Sequence, residues 1–202
     1  DQARDAGELI GFDDEERAVK LDLAPGGEAL HEEAPDNRAF DRELGDETAT
    51  EAAFAAAAHR VSLEVGDNRV IANSMEPRGC YAEMDGDRLH FAFTGQGVWH
   101  MKDKLSKAFN LPAEDIRVTN PDIGGGFGMK AMAYPEYYAV PYAARVLGRA
   151  VRWMADRTEA MLTDNGGRDL VSTAEFAFDA DLKITAYRVR PRCNLGAYNS
   201  QF

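Results

Sequence analysis

The chain has 202 residues and a formal net charge of −12, and 45% of its residues are hydrophobic. This length and composition favour one folded domain, or one domain plus an appendage, and exclude a chain that is disordered or fibrous overall. The acidic balance disfavours nucleic-acid binding, because attraction to phosphates needs a basic surface. The sequence contains no apolar run near the roughly 18 residues of a membrane span, and it begins without the basic and apolar regions of a signal peptide.

The negative charge is concentrated at the start of the chain. Residues 1–50 contain 16 Asp or Glu and 5 Lys or Arg, whereas residues 51–202 contain 19 and 18. We interpret the acidic stretch as a solvated surface segment, and the nearly neutral remainder as a packed domain.

The two cysteines, Cys80 and Cys193, lack the spacing of a metal site. Each is therefore predicted to be a small buried hydrophobic residue. Such sparse use of cysteine suits a reducing cytoplasm, which is where we expect the protein.

The first 47 residues predict little regular structure. Residues 2–10 have the composition of a helix end, with Ala, Arg and Glu preceding Leu9 and Ile10. From there to residue 47 the periodicity is weak, and turn signals recur at residues 24–27 and 34–37. A structureless loop of this length is unusual inside a compact domain, so we predict an extended acidic linker.

From residue 48 onward the pattern alternates between helices and strands. Helices are predicted over residues 52–59, 98–110 and 132–147, and a short helix is expected to begin at Asp156. Strands are predicted over residues 60–65, 116–119 and 151–154, with hairpins around residues 85–87 and 179–181. The predicted fold class is α+β, with antiparallel hairpins and packed helices.

A glycine-rich loop follows one of the short strands. Residues 122–130 read Asp-Ile-Gly-Gly-Gly-Phe-Gly-Met-Lys and precede the helix predicted at 132–147. Glycine lets backbone N–H groups approach a ligand closely, and a helix N-terminus favours anions. The loop therefore predicts either an anionic ligand nearby or a tight turn with no ligand.

A glycine loop raises two nucleotide-binding interpretations, a P-loop and a dinucleotide-binding fingerprint. The P-loop pattern fails, because it needs Gly directly before the Lys, where Met129 stands, and Ser or Thr after it, where Ala131 stands. A dinucleotide fingerprint fits Gly126, Gly128 and Ala131, with Asp156 as the acid for the ribose. That alternative requires the strand before the loop and the strand before Asp156 to be parallel neighbours.

Several ordered motifs resemble the large subunits of molybdenum hydroxylases, the family of xanthine dehydrogenase, aldehyde oxidase and aerobic CO dehydrogenase. They are the glycine loop itself and the segments 73–78 (Asn-Ser-Met-Glu-Pro-Arg), 94–97 (Thr-Gly-Gln-Gly), 111–118 (Leu-Pro-Ala-Glu-Asp-Ile-Arg-Val), 166–169 (Gly-Gly-Arg-Asp) and 194–198 (Asn-Leu-Gly-Ala-Tyr). The similarity covers roughly residues 50–202 and, more loosely, residues 1–50.

The resemblance implies a molybdopterin-binding lobe in which the glycine–Phe loop lies against the cofactor. Gly125, Gly126, Phe127 and Gly128 would approach that cofactor, and Gln96 would hydrogen-bond an oxygen ligand of the molybdenum. A neutral amide suits this task, since it donates a hydrogen bond without adding charge. The pterin dithiolene holds the metal in this family, so no metal-ligating side chain is expected.

The resemblance also implies a reaction and partners. The family hydroxylates its substrates with water as the oxygen source, and electrons leave through [2Fe-2S] clusters and FAD on partner subunits. The bacterial form of molybdopterin is expected to be the cytosine dinucleotide. The catalytic base of the family belongs to a Gly-Glu motif that would lie beyond Phe202, and Glu76, Glu83 and Glu136 do not match it.

The domain interpretation follows from the same resemblance. Residues 1–47 are interpreted as the end of a small N-terminal domain plus the acidic linker. Residues 48–202 are interpreted as the first part of the molybdopterin-binding domain, which we expect to be inactive without the rest of the subunit.

The substrate stays open among an aldehyde, an N-heterocycle and CO. Purine-oxidising members carry a glutamate directly after the Lys of the glycine–Phe loop, whereas Ala131 follows Lys130 in this sequence. We therefore expect poor activity on purines, unless Glu136, one helical turn further on, substitutes for that glutamate. A non-catalytic assembly module that kept the fold is a further alternative.

Overall fold

The helices and strands follow one another in the order that the sequence pattern predicted, with two short strands, Val70–Ile71 and Gly166–Gly167, in addition. The computed structural model describes residues 2–16, 19–196 and 198. Its helices are α1 (Gln2–Gly7), α2 (Glu47–Ala56), α3 (Val98–Phe109), α4 (Glu136–Leu147) and α5 (Arg157–Thr163). Its strands are β1 (His59–Asp67), β2 (Val70–Ile71), β3 (Gly79–Asp85), β4 (Arg88–Phe93), β5 (Ile116–Thr119), β6 (Val151–Met154), β7 (Gly166–Gly167), β8 (Leu170–Phe178) and β9 (Ile184–Cys193). The predicted mixture of helices and antiparallel strand pairs is confirmed.

The chain divides into two compact units, Asp1–Glu51 and Ala52–Phe202. In the first unit, the described residues between 8 and 46 form turns and bends but neither helix nor strand. The Asn37 side chain accepts one backbone hydrogen bond and donates two, which orders the local turns without burying apolar side chains.

The second unit contains a four-stranded sheet in the order β5-β4-β3-β6. Strands β4 and β5 are parallel and are joined through α3, whereas β3 is antiparallel to both of its neighbours, β4 and β6. The carboxyl ends of β4, β5 and β6 therefore lie at the same end of the sheet as the start of β3.

Helices α3 and α4 pack on one face of this sheet and form the hydrophobic core. Alternate residues of β3 and β4 point into it, as expected for strands with one covered face, and Leu89 and Phe91 are fully buried. The Phe93 and Tyr137 rings meet edge to face, with centroids 5.4 Å apart, which is a favourable aromatic geometry.

A second sheet has three antiparallel strands in the order β1-β8-β9. Phe54 of α2 lies on one of its faces, 4.5 Å beneath the Arg188 guanidinium. On the other face Val61, Leu63 and Val65 are exposed. In the described part of the chain, no helix is both long and apolar enough to cross a bilayer.

The two cysteines occupy different environments. Cys80 lies in the core, where burial raises the pKa of its thiol to about 12. The prediction that both are buried is wrong for Cys193, which is exposed. Cys193 is the last residue of β9, an edge strand whose residues are mostly exposed.

Candidate functional site

One end of the four-stranded sheet brings together three segments that are distant in sequence. Because the parallel strands β4 and β5 end at the same side, Gln96 after β4 and the glycine loop after β5 are neighbours. Residues 74–78 reach the same place, since they lead into β3, which runs the other way. The Asn120 amide donates to the Gly95 carbonyl and joins the ends of the two parallel strands.

Gln96 packs directly on the glycine loop. Its Oε1 accepts a hydrogen bond from the Gly128 N–H at 2.9 Å, and its own backbone N–H donates to the Lys130 carbonyl at 3.0 Å. At Gly126 an added Cβ would lie 2.5 Å from Gln96 Cδ, so any larger residue would displace this side chain from its position. Because the Gly128 N–H can only donate, the oxygen of the Gln96 side-chain amide must face it. The amide nitrogen, Nε2, is then free to donate elsewhere.

The glycine loop carries unsatisfied backbone donors. None of the residues that the structure describes accepts a hydrogen bond from Gln96 Nε2 or from the N–H groups of Gly125, Gly126 and Phe127. Backbone N–H groups without a protein acceptor suit an anion or another oxygen acceptor. The loop can therefore offer backbone hydrogen bonds to a ligand.

Phe127 has an unusual backbone and an exposed ring. Its φ of 55° lies in the left-handed region, which costs a non-glycine residue of order 1–3 kcal/mol. Phe127 is 77% exposed, and its ring lies near Gly125, where an added Cβ would be 2.9 Å from Phe127 Cε2. An exposed aromatic beside free donors gives the site one apolar surface.

Glu76 and Lys130 form an ion pair beneath the loop, with 2.9 Å between Glu76 Oε2 and Lys130 Nζ. The same oxygen accepts from the Gly124 N–H at 2.9 Å. Partial burial by itself raises the pKa of Glu76, but the hydrogen bonds from Lys130 and Gly124 and the charge of Lys130 outweigh it. The pKa of Glu76 is lowered as a result.

Arg78 connects the strand that follows it to the helices beside the site. Its fully buried guanidinium pairs with Asp164, reaches Glu136 at 3.0 Å and donates to Thr163 at 3.0 Å. It also lies 3.6 Å from the centroid of the Tyr134 ring. Strand β3, the start of α4 and the end of α5 are thereby held together.

The helix expected directly after the loop begins later than predicted. A single 3₁₀ turn, Met129–Ala131, follows the loop, and α4 starts at Glu136 with Pro135 as its N-cap. The expectation that a helix N-terminus attracts an anion at this loop is therefore wrong. The loop is instead ordered by the side chains of Glu76 and Gln96.

The dinucleotide-binding alternative is also wrong. Strands β5 and β6 lie at opposite edges of the sheet, with β4 and β3 between them, so they are not neighbours. Asp156 is the N-cap of α5 and accepts from the Glu159 N–H at 2.7 Å. The Asp156 carboxylate therefore caps a helix.

The motifs that begin at Gly166 and Asn194 meet around Arg69. This side chain donates to Asp169 at 3.0 Å and to the Asn194 carbonyl at 3.2 Å, and Asn194 Nδ2 donates to Asp169 at 2.9 Å. The segments 166–169 and 194–196 are thus joined, while Ala197 lies outside the described residues.

Two other glutamates considered from the sequence are engaged elsewhere. Glu136 is bound to Arg78. Glu83 accepts from the Tyr81 hydroxyl at 2.6 Å and lies 3.1 Å from His90, and these two contacts lower its pKa. It belongs to the half of β3 that leads away from the glycine loop.

The chain is similar to known molybdopterin-binding proteins. The family model of the molybdopterin cofactor-binding domain matches residues 30–202. The nicotine 6-hydroxylase large subunit of Paenarthrobacter nicotinovorans is 34% identical over 204 residues, which cover 98% of this chain and 25% of that protein. The carbon monoxide dehydrogenase large chain of Hydrogenophaga pseudoflava is 36% identical over 167 residues, which cover 81% of this chain and 21% of that protein.

The chain is also similar to a solved structure. The crystal structure of the Cu,Mo-CO dehydrogenase in its carbon monoxide reduced state matches 94% of this chain and 26% of that chain. The TM-score is 0.84 and the sequence identity is 33%.

The chain therefore belongs to the family of molybdopterin cofactor-binding domains. It matches part of the large subunits of these relatives, which is the resemblance that its motifs predicted. It spans about a quarter of the length of the nicotine 6-hydroxylase and CO dehydrogenase chains that it matches.

Proposed function

We propose that Gln96, Gly125, Gly126, Phe127 and Gly128 hold a molybdopterin cofactor, and that the natural protein is a molybdenum-dependent oxidoreductase. The observation that carries this proposal is the group of free donors on the glycine loop, formed by three successive N–H groups and the oriented Gln96 amide. Such donors suit a ligand rich in oxygen acceptors. The exposed Phe127 ring adds an apolar surface for a flat group.

Each residue has a distinct task in this proposal. Gln96 would donate from Nε2, because Gly128 already fixes its oxygen. The N–H groups of residues 125–127 would satisfy acceptor atoms of the cofactor, and the Phe127 ring would exclude water beside it. When bound, the molybdenum cofactor supplies the redox chemistry that adds oxygen from water to the substrate.

The substrate is proposed to be an aldehyde, an N-heterocycle or CO. The support comes from the relatives, which include a nicotine 6-hydroxylase and CO dehydrogenases. We also propose the cytosine dinucleotide form of molybdopterin, and partner subunits that carry FAD and [2Fe-2S] clusters. A location in the cytoplasm and the role of residues 1–47 as the end of a small domain plus an acidic linker belong to the same proposal.

Molybdenum content tests the cofactor assignment. The full-length natural protein should keep stoichiometric molybdenum through gel filtration, as measured by plasma mass spectrometry. Gln96→Ala should lower substrate turnover by about 10- to 100-fold, in the range found when a partner beside a metal group is lost. Gln2→Ala, in α1, is the matched control and should leave turnover unchanged. A natural protein that never retains molybdenum would contradict the proposal and favour a non-catalytic assembly module.

Hypoxanthine is expected to be a poor substrate. Ala131 offers no donor or acceptor where purine-oxidising members have a glutamate, and Glu136 cannot replace it freely because its carboxylate is bound to buried Arg78 at 3.0 Å. A site that lacks a hydrogen-bond partner for a polar ring loses selectivity for that ring. Steady-state kinetics on the assembled natural complex checks this. A kcat/KM for hypoxanthine of about 10⁴ M⁻¹s⁻¹ or more, in the ordinary enzyme range, would contradict it.

A further inference from the structure

The glycine loop is held at both of its ends by one carboxylate oxygen. Glu76 Oε2 accepts from the Gly124 N–H and from Lys130 Nζ, each at 2.9 Å. Gly124 and Lys130 lie on either side of residues 125–127, which carry the free backbone donors. The Glu76 side chain therefore links the start of the loop to its end.

The contact between Glu76 and the loop is close and reciprocal. The Glu76 backbone N–H donates to the Gly124 carbonyl at 3.1 Å, so each residue binds the other. A Cβ added at Gly124 would lie 2.6 Å from Glu76 Cβ, which leaves room for glycine alone.

The segment that carries Glu76 is itself fixed. Ser74 is buried, and its hydroxyl donates to the Glu76 carbonyl at 2.7 Å. Arg157 donates to the carbonyls of Ser74 at 2.9 Å and Met75 at 2.8 Å. Glu76 is therefore a rigid support for the loop, since neighbouring elements hold its backbone.

The pairing of Glu76 with Lys130 is fixed by the burial of the Lys130 charge. The Lys130 side chain has 0% exposure, and Glu76 is its ion-pair partner in the described part of the chain. A buried ammonium without its counterion is strongly unfavourable, so Lys130 holds the carboxylate in place. The lowered pKa of Glu76 keeps it ionised at neutral pH. Through its carbonyl Lys130 also accepts from the Gln96 N–H, so the pair is connected to both parts of the site.

We infer that Glu76 is a positioning residue, which sets the path of residues 124–130 and thereby presents the free donors of the loop and Gln96 to the cofactor. This inference rests on the proposed function of the loop. It assigns no contact between Glu76 and the cofactor.

Glu76→Gln is the sharpest single test, because glutamine has nearly the same shape and still accepts from the Gly124 N–H. It removes the negative charge and leaves Lys130 without a counterion. Hydrogen exchange at the Gly124 and Gly128 amides, which donate to Glu76 and Gln96, should become at least about tenfold faster in the cofactor-free natural protein. The holoprotein should lose molybdenum faster during gel filtration. Glu175→Gln is the matched control, since Glu175 on β8 pairs with Arg188 on β9 at 2.7 Å. This control should change neither the exchange rate nor the retention of molybdenum.

A double variant separates positioning from simple charge balance. Glu76→Gln with Lys130→Met removes both charges, so the urea midpoint should return toward that of the wild-type protein. If Glu76 positions the loop, exchange at the Gly124 and Gly128 amides stays fast and molybdenum is still lost. This variant also provides the test if Glu76→Gln alone does not fold.

The outcomes distinguish the inference from the function on which it rests. A wild-type protein that never holds molybdenum refutes the cofactor assignment, while the exchange measurement still tests Glu76 in the cofactor-free protein. Wild-type exchange and wild-type molybdenum retention in Glu76→Gln would overturn the inference. Full recovery of both in the double variant would overturn it as well, because Glu76 would then serve only to neutralise Lys130.

Discussion

Replacing Arg78 with Met is expected to destabilise residues 52–202 by about 3–5 kcal/mol, because it leaves buried carboxylates without their counterion. The Asp164 side chain is 2% exposed and pairs with the Arg78 guanidinium, and Glu136 binds the same group. Arg78 also lies over the Tyr134 ring, so the substitution removes a packing contact as well. Arg78→Lys should be intermediate, since an ammonium keeps the charge but cannot reproduce the fork of donors.

The measurement is the free energy of unfolding of the chain in urea. Arg168→Met is the matched control, because Arg168 pairs with Asp67 at 3.3 Å at the surface, where both side chains are more than a third exposed. Exposed pairs of this kind contribute about 0–1 kcal/mol, so the control should unfold close to the wild-type midpoint. Equal stability of Arg78→Met and Arg168→Met would show that the buried network does not hold β3 to α4 and α5.

The regular elements of the second unit were predictable because their signals are local. Strands β5 and β6 have the predicted bounds, 116–119 and 151–154, since each is a short run of alternating or apolar residues between turns. Helix α4 begins at residue 136 rather than 132, because Pro135 takes the N-cap and the preceding residues complete a 3₁₀ turn and a connection. Local periodicity does not determine such a boundary.

The meeting of Gln96 with the glycine loop was predicted from the resemblance of the motifs, and the sheet gives its physical reason. The parallel pairing of β4 and β5 places the two segments after them side by side. Periodicity predicts strands but not which strands pair, so the residues alone left the dinucleotide alternative open. Strand order settled it, because β5 and β6 lie at opposite edges.

The buried charges were not predicted. Lysine and arginine are almost always exposed, and nothing beside Arg78 or Lys130 in the sequence marks either as buried. Their partners, Asp164 and Glu76, are 86 and 54 positions away along the chain. Such a pairing follows from the tertiary arrangement, which a single sequence does not reveal.

Replacing Gly126 with Ala is expected to impair function strongly while leaving the fold intact. An added Cβ would lie 2.5 Å from Gln96 Cδ and Oε1, so the Gln96 amide must move away from the Gly128 N–H. The side chain that must move is flexible at its end, and Gly126 has no positive φ, so the urea midpoint should stay near that of the wild-type protein. A displacement of about 1 Å in a positioning group can lower kcat/KM roughly 100-fold, and a loss of that size is expected for the holoprotein.

Two companion variants identify the cause of that loss. Gly66→Ala is the matched control, because an added Cβ at this β1 glycine meets nothing within 4 Å. It should leave kcat/KM and molybdenum content unchanged. In a Gln96→Ala background, Gly126→Ala should cause no further loss, since the clashing side chain is already gone and effects at contacting residues are not additive. A further large drop in that double variant would mean that Gly126 acts on the cofactor independently of Gln96, and that the clash with the amide is not the reason for glycine at this position.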